Sequence, residues 1–344
     1  MNPTMRLSVR SGVCLAAVTC FLAALPVASR AESVTGAGSS FAAPIYEAWG
    51  AAAKAETGVT VNYQSVGSSA GQNQILAGTV DFGASDAPMD AAKLETGKLF
   101  QFPTVMGGIV PVVNIPGIKA DALVLSGEVV AGIYAGDITA WNDPKIAALN
   151  PGVKLPDAAI ASVHRADGSG TTFVFTSYLA DSSASWKQNQ GASTSINWPG
   201  GLGARGNDGV AATVRNTEGA IGYVEYAYAS RNHLTTVRLR NRAGTDVAAG
   251  LSSFSEAAAS ADWKNASHFA VSLLGTPGKN AWPIVSATYV LVPLPARNPE
   301  RDAAVQKFFA WDFKNGDSIA SKLDYVPLPG AVKDSILSAW KSGK

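Results

Sequence analysis

The chain has 344 residues, 47% of them hydrophobic and 15% charged, with a formal net charge of +1. That length and balance exclude a disordered chain and fit two globular domains, each large enough to bury a core. The near-neutral charge also removes the electrostatic basis for nucleic-acid binding or a strong membrane-surface field.

The N-terminus reads as a targeting segment. Arg6 and Arg10 precede an apolar run from Val13 to Leu25, and Ser29-Arg30-Ala31 supplies small residues for cleavage. Residues 1–31 are expected to be a secretory signal peptide, cut between Ala31 and Glu32. The run is shorter than the roughly 18 apolar residues a membrane anchor needs. Cys14 and Cys20 both lie inside it, so the secreted chain would rest on core packing without disulfides. Losing Arg6, Arg10 and Arg30 leaves 24 basic against 26 acidic residues, about −2. Any anion must then be held by local geometry.

In chain order, Ser33 to Gly38 predicts a strand running into a glycine turn. Phe41 to Lys54 predicts a helix, with Ser39 and Ser40 before it, Pro44 near its start and Gly58 after it. Val59 to Val66 alternates like a strand, and Gly67-Ser68-Ser69-Ala70-Gly71 reads as a turn opening a helix from Gln72 to Ala77. Val80 to Ser85 is a third strand, ended by Asp86-Ala87-Pro88. This alternation argues for βαβ units and a mainly parallel sheet. Ligands of such sheets sit beyond the carboxyl ends of strands, where Ser40, Ser68 and Asp86 fall.

Phe100 to Asn114, with Gly107-Gly108 at its centre, reads as an extended crossing between lobes. Ile160 to His164 is a strand feeding Arg165-Ala166-Asp167-Gly168-Ser169-Gly170-Thr171-Thr172, and Phe173 to Leu179 is a helix or buried strand. Trp198 to Gly209 reads as a loop, Gly209 to Arg215 as a short helix and Ala220 to Glu225 as a strand. Ser286 to Val292 is the return crossing, and Ala303 to Phe313 and Val332 to Trp340 are amphipathic helices.

Gly36-Ala37-Gly38 starts neither a dinucleotide nor a P-loop fingerprint, because the residues that would complete them are missing. Gly67-Ser68-Ser69-Ala70-Gly71 matches G-x-S-x-G and makes Ser69 a hydrolase nucleophile on an alternative reading. That reading needs a base from His164, His233 or His268, none of which stands in a flanking motif. No cysteine, histidine or acidic pattern suggests a metal. The segment from Arg165 to Thr172 offers a cation, a carboxylate and hydroxyls ahead of an apolar run. If that run is a helix, its start is a place for an anion. Three such turns add up. Each helix terminus contributes about 0.3–1 kcal/mol, and each hydrogen bond to a charged acceptor roughly 1.5–3 kcal/mol. Arg165 adds a planar fork suited to a tetrahedral oxyanion.

Thr35 to Phe41, Gly67 to Ser69, Asp81 to Pro88, Phe100 to Thr104, Arg165 to Thr171 and Gly219 to Tyr226 together resemble the periplasmic phosphate-binding proteins of phosphate-specific ABC importers. The match runs in order over essentially the whole chain after residue 31. It implies a two-lobed α/β fold of the type II-like periplasmic binding protein class, each lobe a mixed, mainly parallel sheet flanked by helices. Lobe I would comprise residues 32–105 and 283–344, and lobe II residues 106–282. Phosphate in the cleft would meet Ser40, Phe41, Ser68, Asp86, Arg165, Ser169, Gly170 and Thr171, with Asp167 orienting Arg165. Where family members often have Thr, this chain has Ser40, which keeps the hydroxyl. Asp86 would accept a proton that phosphate carries and sulfate lacks, a kind of discrimination worth roughly 10⁴–10⁵. The resemblance further implies a monomer that delivers phosphate to the permease subunits of an importer, with no cofactor and no catalysis.

Overall fold

A computed structural model of the chain describes residue 1 and residues 32–343. The expected signal peptide, with Cys14, Cys20 and the cleavage point, falls outside the described residues apart from Met1. The alternation expected after it is present: β1 (Glu32–Gly38), α1 (Ala43–Thr57), β2 (Val59–Ser65), α2 (Ser68–Ala77) and β3 (Phe82–Ser85). β1 pairs in parallel with both β2 and β3.

One boundary differs from expectation. α2 begins at Ser68 instead of Gln72, so the Gly/Ser stretch is the first turn of the helix and not a turn before it. Gly67 is the residue before the helix, at φ 95°, a conformation that L side chains avoid. Gly71 lies within the helix for a different reason. A Cβ there would sit 2.5 Å from the Ala37 carbonyl oxygen, so this glycine permits close approach of helix and strand.

β4 (Leu99–Asn114) is buried along nearly its whole length, as the proline-marked apolar run suggested. Beyond it come β5 (Ala161–Arg165), α3 (Gly170–Ser182), β6 (Leu202–Ala204), α4 (Gly206–Asn216), β7 (Ala220–Glu225) and β8 (Ile284–Pro293). The run after Thr172 is thus a helix, and the stretch read as a loop before Gly209 contains a strand and a helix start. The strand order is β2-β1-β3-β8-β4-β7-β5-β6. Pairings at the two outer ends are parallel, whereas β8 runs antiparallel to β3 and β4. The sheet is therefore mixed. β4 pairs with β8 from Leu99 to Gly108 and with β7 from Ile109 to Asn114, changing partner at its paired glycines. A Cβ on Gly108 would approach the Phe254 ring to 2.2 Å.

The helices α5 (Pro299–Asn315) and α6 (Gly330–Ser342) return to the first half of the sheet. There the Phe102 ring lies 5.5 Å from Phe309 and 4.8 Å from Trp340. On the other half α3 is fixed by Phe175 stacking on Tyr223 at 4.0 Å, a contact worth about 0.5–1.5 kcal/mol beyond its area. These contacts orient the strand ends and helix starts that carry the polar residues.

Candidate anion-binding site

The carboxyl ends of β1, β3 and β5 and the starts of α2, α3 and α4 converge. Ser39 and Ser40 follow β1, Asp86 follows β3, Arg165 ends β5, and Ser169 is the N-cap of α3. All of these side chains are buried, at 3% exposure or less. The two halves meet closely. A Cβ on Gly170 would sit 2.5 Å from Ser68 Oγ and 2.7 Å from Asp86 Cβ, and the Ser69 N–H donates to the Gly168 carbonyl at 3.0 Å.

Arg165 grips Asp167 with two bonds, Nε to Oδ1 at 2.7 Å and Nη2 to Oδ2 at 2.5 Å. Its third nitrogen, Nη1, is buried and has no hydrogen-bond partner among the described residues. A buried guanidinium N–H without an acceptor is costly unless an anion meets it. Burial pushes the Asp167 carboxyl up, but the Arg165 bonds and charge outweigh it and hold the group below its ordinary range. The Gly206 N–H adds a further bond to Oδ1 at 3.2 Å. The Arg165 backbone is fixed by Tyr223, whose hydroxyl accepts from the Arg165 N–H at 3.2 Å and meets Thr172 Oγ1 at 2.7 Å.

Asp86 sits among hydroxyls. Ser39 Oγ and Thr288 Oγ1 both donate to Oδ1, at 2.5 and 2.8 Å, while Thr171 Oγ1 reaches Oδ2 at 3.4 Å. Burial raises its pKa to about 6, against the lowering effects of the Ser39 and Thr288 bonds, the Arg165 charge and the Thr171 bond. It caps no helix; that role falls to Asp90. One carboxylate oxygen is thus saturated and the other has capacity left.

The remaining donors are arranged around these two groups. Gly170 and Thr171 are the first two residues of α3, so their N–H groups have no intrahelical acceptor. Ser169 contributes less than expected: its N–H is taken by the Thr194 carbonyl at 2.8 Å, and its Oγ accepts from Thr172 N at 3.0 Å, leaving the hydroxyl proton. Ser68 Oγ accepts from the Asp86 N–H at 3.3 Å, which leaves its own proton to donate. The Phe41 carbonyl is held by the Tyr325 hydroxyl at 2.6 Å. Asn207, which sequence reasoning missed, donates to Ser40 Oγ from both N and Nδ2, at 3.1 and 2.8 Å, and from Nδ2 to Thr171 Oγ1 at 3.3 Å. With its lone pairs engaged, the Ser40 hydroxyl is left as a donor. Ser39 and Thr288 were likewise not singled out; the only sequence signal was that hydroxyl residues follow or face the strand ends.

Comparison with known proteins decides what family this arrangement belongs to. Residues 24–315 match the PBP superfamily domain. The chain is 50% identical over 314 residues to the phosphate-binding protein PstS of Pasteurella multocida, spanning 91% of each chain. It is 49% identical over 321 residues to the corresponding protein of Haemophilus influenzae, spanning 93% of this chain and 96% of the relative. The chain belongs to the PstS family of phosphate-binding proteins. In fold it is similar to a phosphate-binding protein from Stenotrophomonas maltophilia, with a TM-score of 0.69 at 19% identity over 90% of this chain and 94% of that one. The architecture is accordingly the two-lobed α/β fold of periplasmic binding proteins.

As a member of the PstS family the chain does not sustain the hydrolase alternative. Ser69 Oγ donates to Thr194 Oγ1 at 3.0 Å and not to a histidine. Two of the three candidate bases are engaged elsewhere: His164 stacks on Trp198 at 4.7 Å with Nδ1 at the Arg165 carbonyl, and His268 lies in a short turn where its carbonyl meets Gln101. The G-x-S-x-G match therefore reflects helix packing and the contacts of Ser69 with Gly168 and Thr194.

Proposed function

We propose that the protein captures inorganic phosphate outside the cytoplasm and delivers it to the permease subunits of an ABC importer. The observation that carries this reading is the pairing of a buried cation with a partly unsatisfied buried carboxylate in one donor-rich cradle. Arg165 Nη1 needs an anion, and Asp86 Oδ2 accepts only one long bond. A fully deprotonated anion would satisfy the first and repel the second. A protonated oxyanion satisfies both, because its O–H donates to Asp86 while its other oxygens accept. Phosphate near neutral pH has that character; sulfate does not.

In this reading Ser40, Phe41, Ser68, Asp86, Arg165, Ser169, Gly170 and Thr171 contact the ligand, and Asp167 orients Arg165. Residues 32–105 with 283–344 form one lobe and residues 106–282 the other, hinged where β4 changes partner, so that binding closes the cleft. The chain is exported by its first 31 residues to the periplasm, acts as a monomer and performs no catalysis. The PstS relatives, each named a phosphate-binding protein, support the choice of phosphate as ligand. Thermal-shift and titration calorimetry with phosphate, sulfate and arsenate test it. Stabilisation by phosphate but not sulfate is expected, and absence of any phosphate response would refute the reading. Exposure to a fluorophosphonate should leave Ser69 unlabelled.

A further inference from the structure

We propose that Ser39 is a specificity-determining positioning residue: with Thr288 it occupies Asp86 Oδ1 and so keeps Asp86 an acceptor whose Oδ2 faces the ligand's proton. The inference rests on the phosphate reading above and explains how its discrimination is set.

The geometry aims the Ser39 hydroxyl at Asp86. Its N–H donates to the Ala84 carbonyl at 2.9 Å, and its carbonyl accepts from the Tyr63 hydroxyl at 2.7 Å, so the backbone is pinned on both sides. Gly38, before it, sits at φ 141° with the Ala84 carbonyl oxygen 2.0 Å from where a Cβ would be, which sets β1 against β3 and brings Ser39 beside Asp86. Ser39 Oγ accepts weakly from Ala42 N at 3.4 Å, which leaves its single proton for Asp86 Oδ1. Thr288, in the middle of β8 and fully buried, places a second hydroxyl proton on the same oxygen.

Two hydroxyl donors on one oxygen favour the charged carboxylate. They oppose the burial that would neutralise it, and they direct any proton to Oδ2. An Asp86 protonated at Oδ2 is a donor, and a donor at that point welcomes a fully deprotonated anion. Sulfate exclusion therefore depends on how well Ser39 and Thr288 hold the ionised form. The other groups facing Asp86 do not titrate near neutrality or are fixed. Among the described residues, Arg165 is the cation acting on it. Tyr46 on α1 and Tyr63 on β2 stay neutral, since burial pushes both phenols up. Burial pushes Glu225 at the end of β7 up, against the bonds it accepts from the Ala227 N–H and the Tyr325 hydroxyl. Ser68 from α2, Thr171 from α3 and Ser286 from β8 carry no charge.

The test is the pH dependence of sulfate and phosphate binding, followed by calorimetry between pH 5 and 8.5, in the wild-type protein, Ser39→Ala and Ser39→Thr. Sulfate binding should appear in the wild type only as pH falls through Asp86 protonation. In Ser39→Ala that curve should move up by about one pH unit, the equivalent of one charge-assisted bond, with phosphate still bound. Ser39→Thr should restore it. A purely structural role would alter affinity for both anions without moving the pH profile, and an unmoved profile in Ser39→Ala overturns the proposal. If Ser39→Ala fails to fold, Thr288→Val reads the same oxygen: an upward shift supports the proposal and no shift overturns it. A wild-type protein that binds no phosphate would instead refute the proposed function, and this inference with it.

Discussion

Arg165 and Asp167, two residues apart, form a buried bidentate ion pair that uses two guanidinium nitrogens and leaves Nη1 directed elsewhere. The pair is a device for aiming a cation. Breaking a buried pair from one side leaves an uncompensated charge, so the two residues differ in what their loss should do.

Asp167→Asn removes the counter-charge but keeps an oxygen for one bond. Arg165 then gains rotational freedom, and phosphate affinity should fall by roughly 10–100-fold, the value of one charge-assisted bond. Arg165→Ala removes the cation and should fall further. Calorimetry at low and moderate salt measures both. Equal affinity in Asp167→Asn and wild type would mean that Asp167 does not position the cation.

Asp86 ties stability to pH. Its folded pKa of about 6 lies above the ordinary 3.8, so as pH rises the unfolded chain releases this proton first. The folded state's advantage is full below about 4 and is lost between there and 6, about 3 kcal/mol in all. Asp86→Asn, which can still accept from Ser39 and Thr288, should therefore melt higher than wild type at pH 7.5 without ligand. It should also bind sulfate. A melting curve whose pH dependence matches wild type would contradict the assignment.

Asp312 makes a similar case away from the site. It lies on α5 at 1% exposure, and neither carboxylate oxygen has a partner among the described residues. Burial pushes its pKa well above the carboxylate range. With a raised folded pKa its effect is again to lower stability as pH rises through and beyond the unfolded value near 4. Asp312→Leu, which keeps the branching at Cγ with apolar atoms in place of the carboxylate oxygens, should raise the melting temperature at pH 7.5 by several degrees and leave phosphate affinity unchanged. A drop in melting temperature would show that the carboxylate has a structural role.

Much of this site was legible in the sequence because its parts are local. A glycine, a hydroxyl and a helix start lie within a few residues of each other at Ser40, Ser68 and Ser169, and Asp86 directly follows a strand. What was not legible is tertiary. Thr288 reads as a β-branched filler of a buried strand, and only its register against Ser85, through neighbouring Tyr289, turns its hydroxyl to Asp86. Asn207 lies in Gly206-Asn207-Asp208-Gly209, a turn-like tetrapeptide, yet it falls in the first turn of α4 and ties Ser40 to Thr171. The start of α2 was misplaced because Gly71 serves close packing against Ala37, and chain-local rules read glycine as a turn.

Gly170 offers a test of closure itself. It is the first residue of α3, and the atoms nearest to an added Cβ are Ser68 Oγ, Asp86 Cβ and the Asp86 backbone nitrogen at 2.7 Å. All three belong to the other lobe of the proposed division, and two are not ends of flexible side chains, so the neighbours cannot give way locally. The conflict exists only while the two sides are in contact. Gly170→Ala should therefore fold with a near-normal melting temperature, since alanine suits a helix start, and relieve its clash by opening the cleft. Phosphate affinity should fall by at least about 100-fold, because closure would cost more than one or two charge-assisted bonds return. Small-angle scattering should show phosphate compacting the wild type but not the variant. A variant that folds, compacts with phosphate and binds it normally would mean that this contact is not what closure requires.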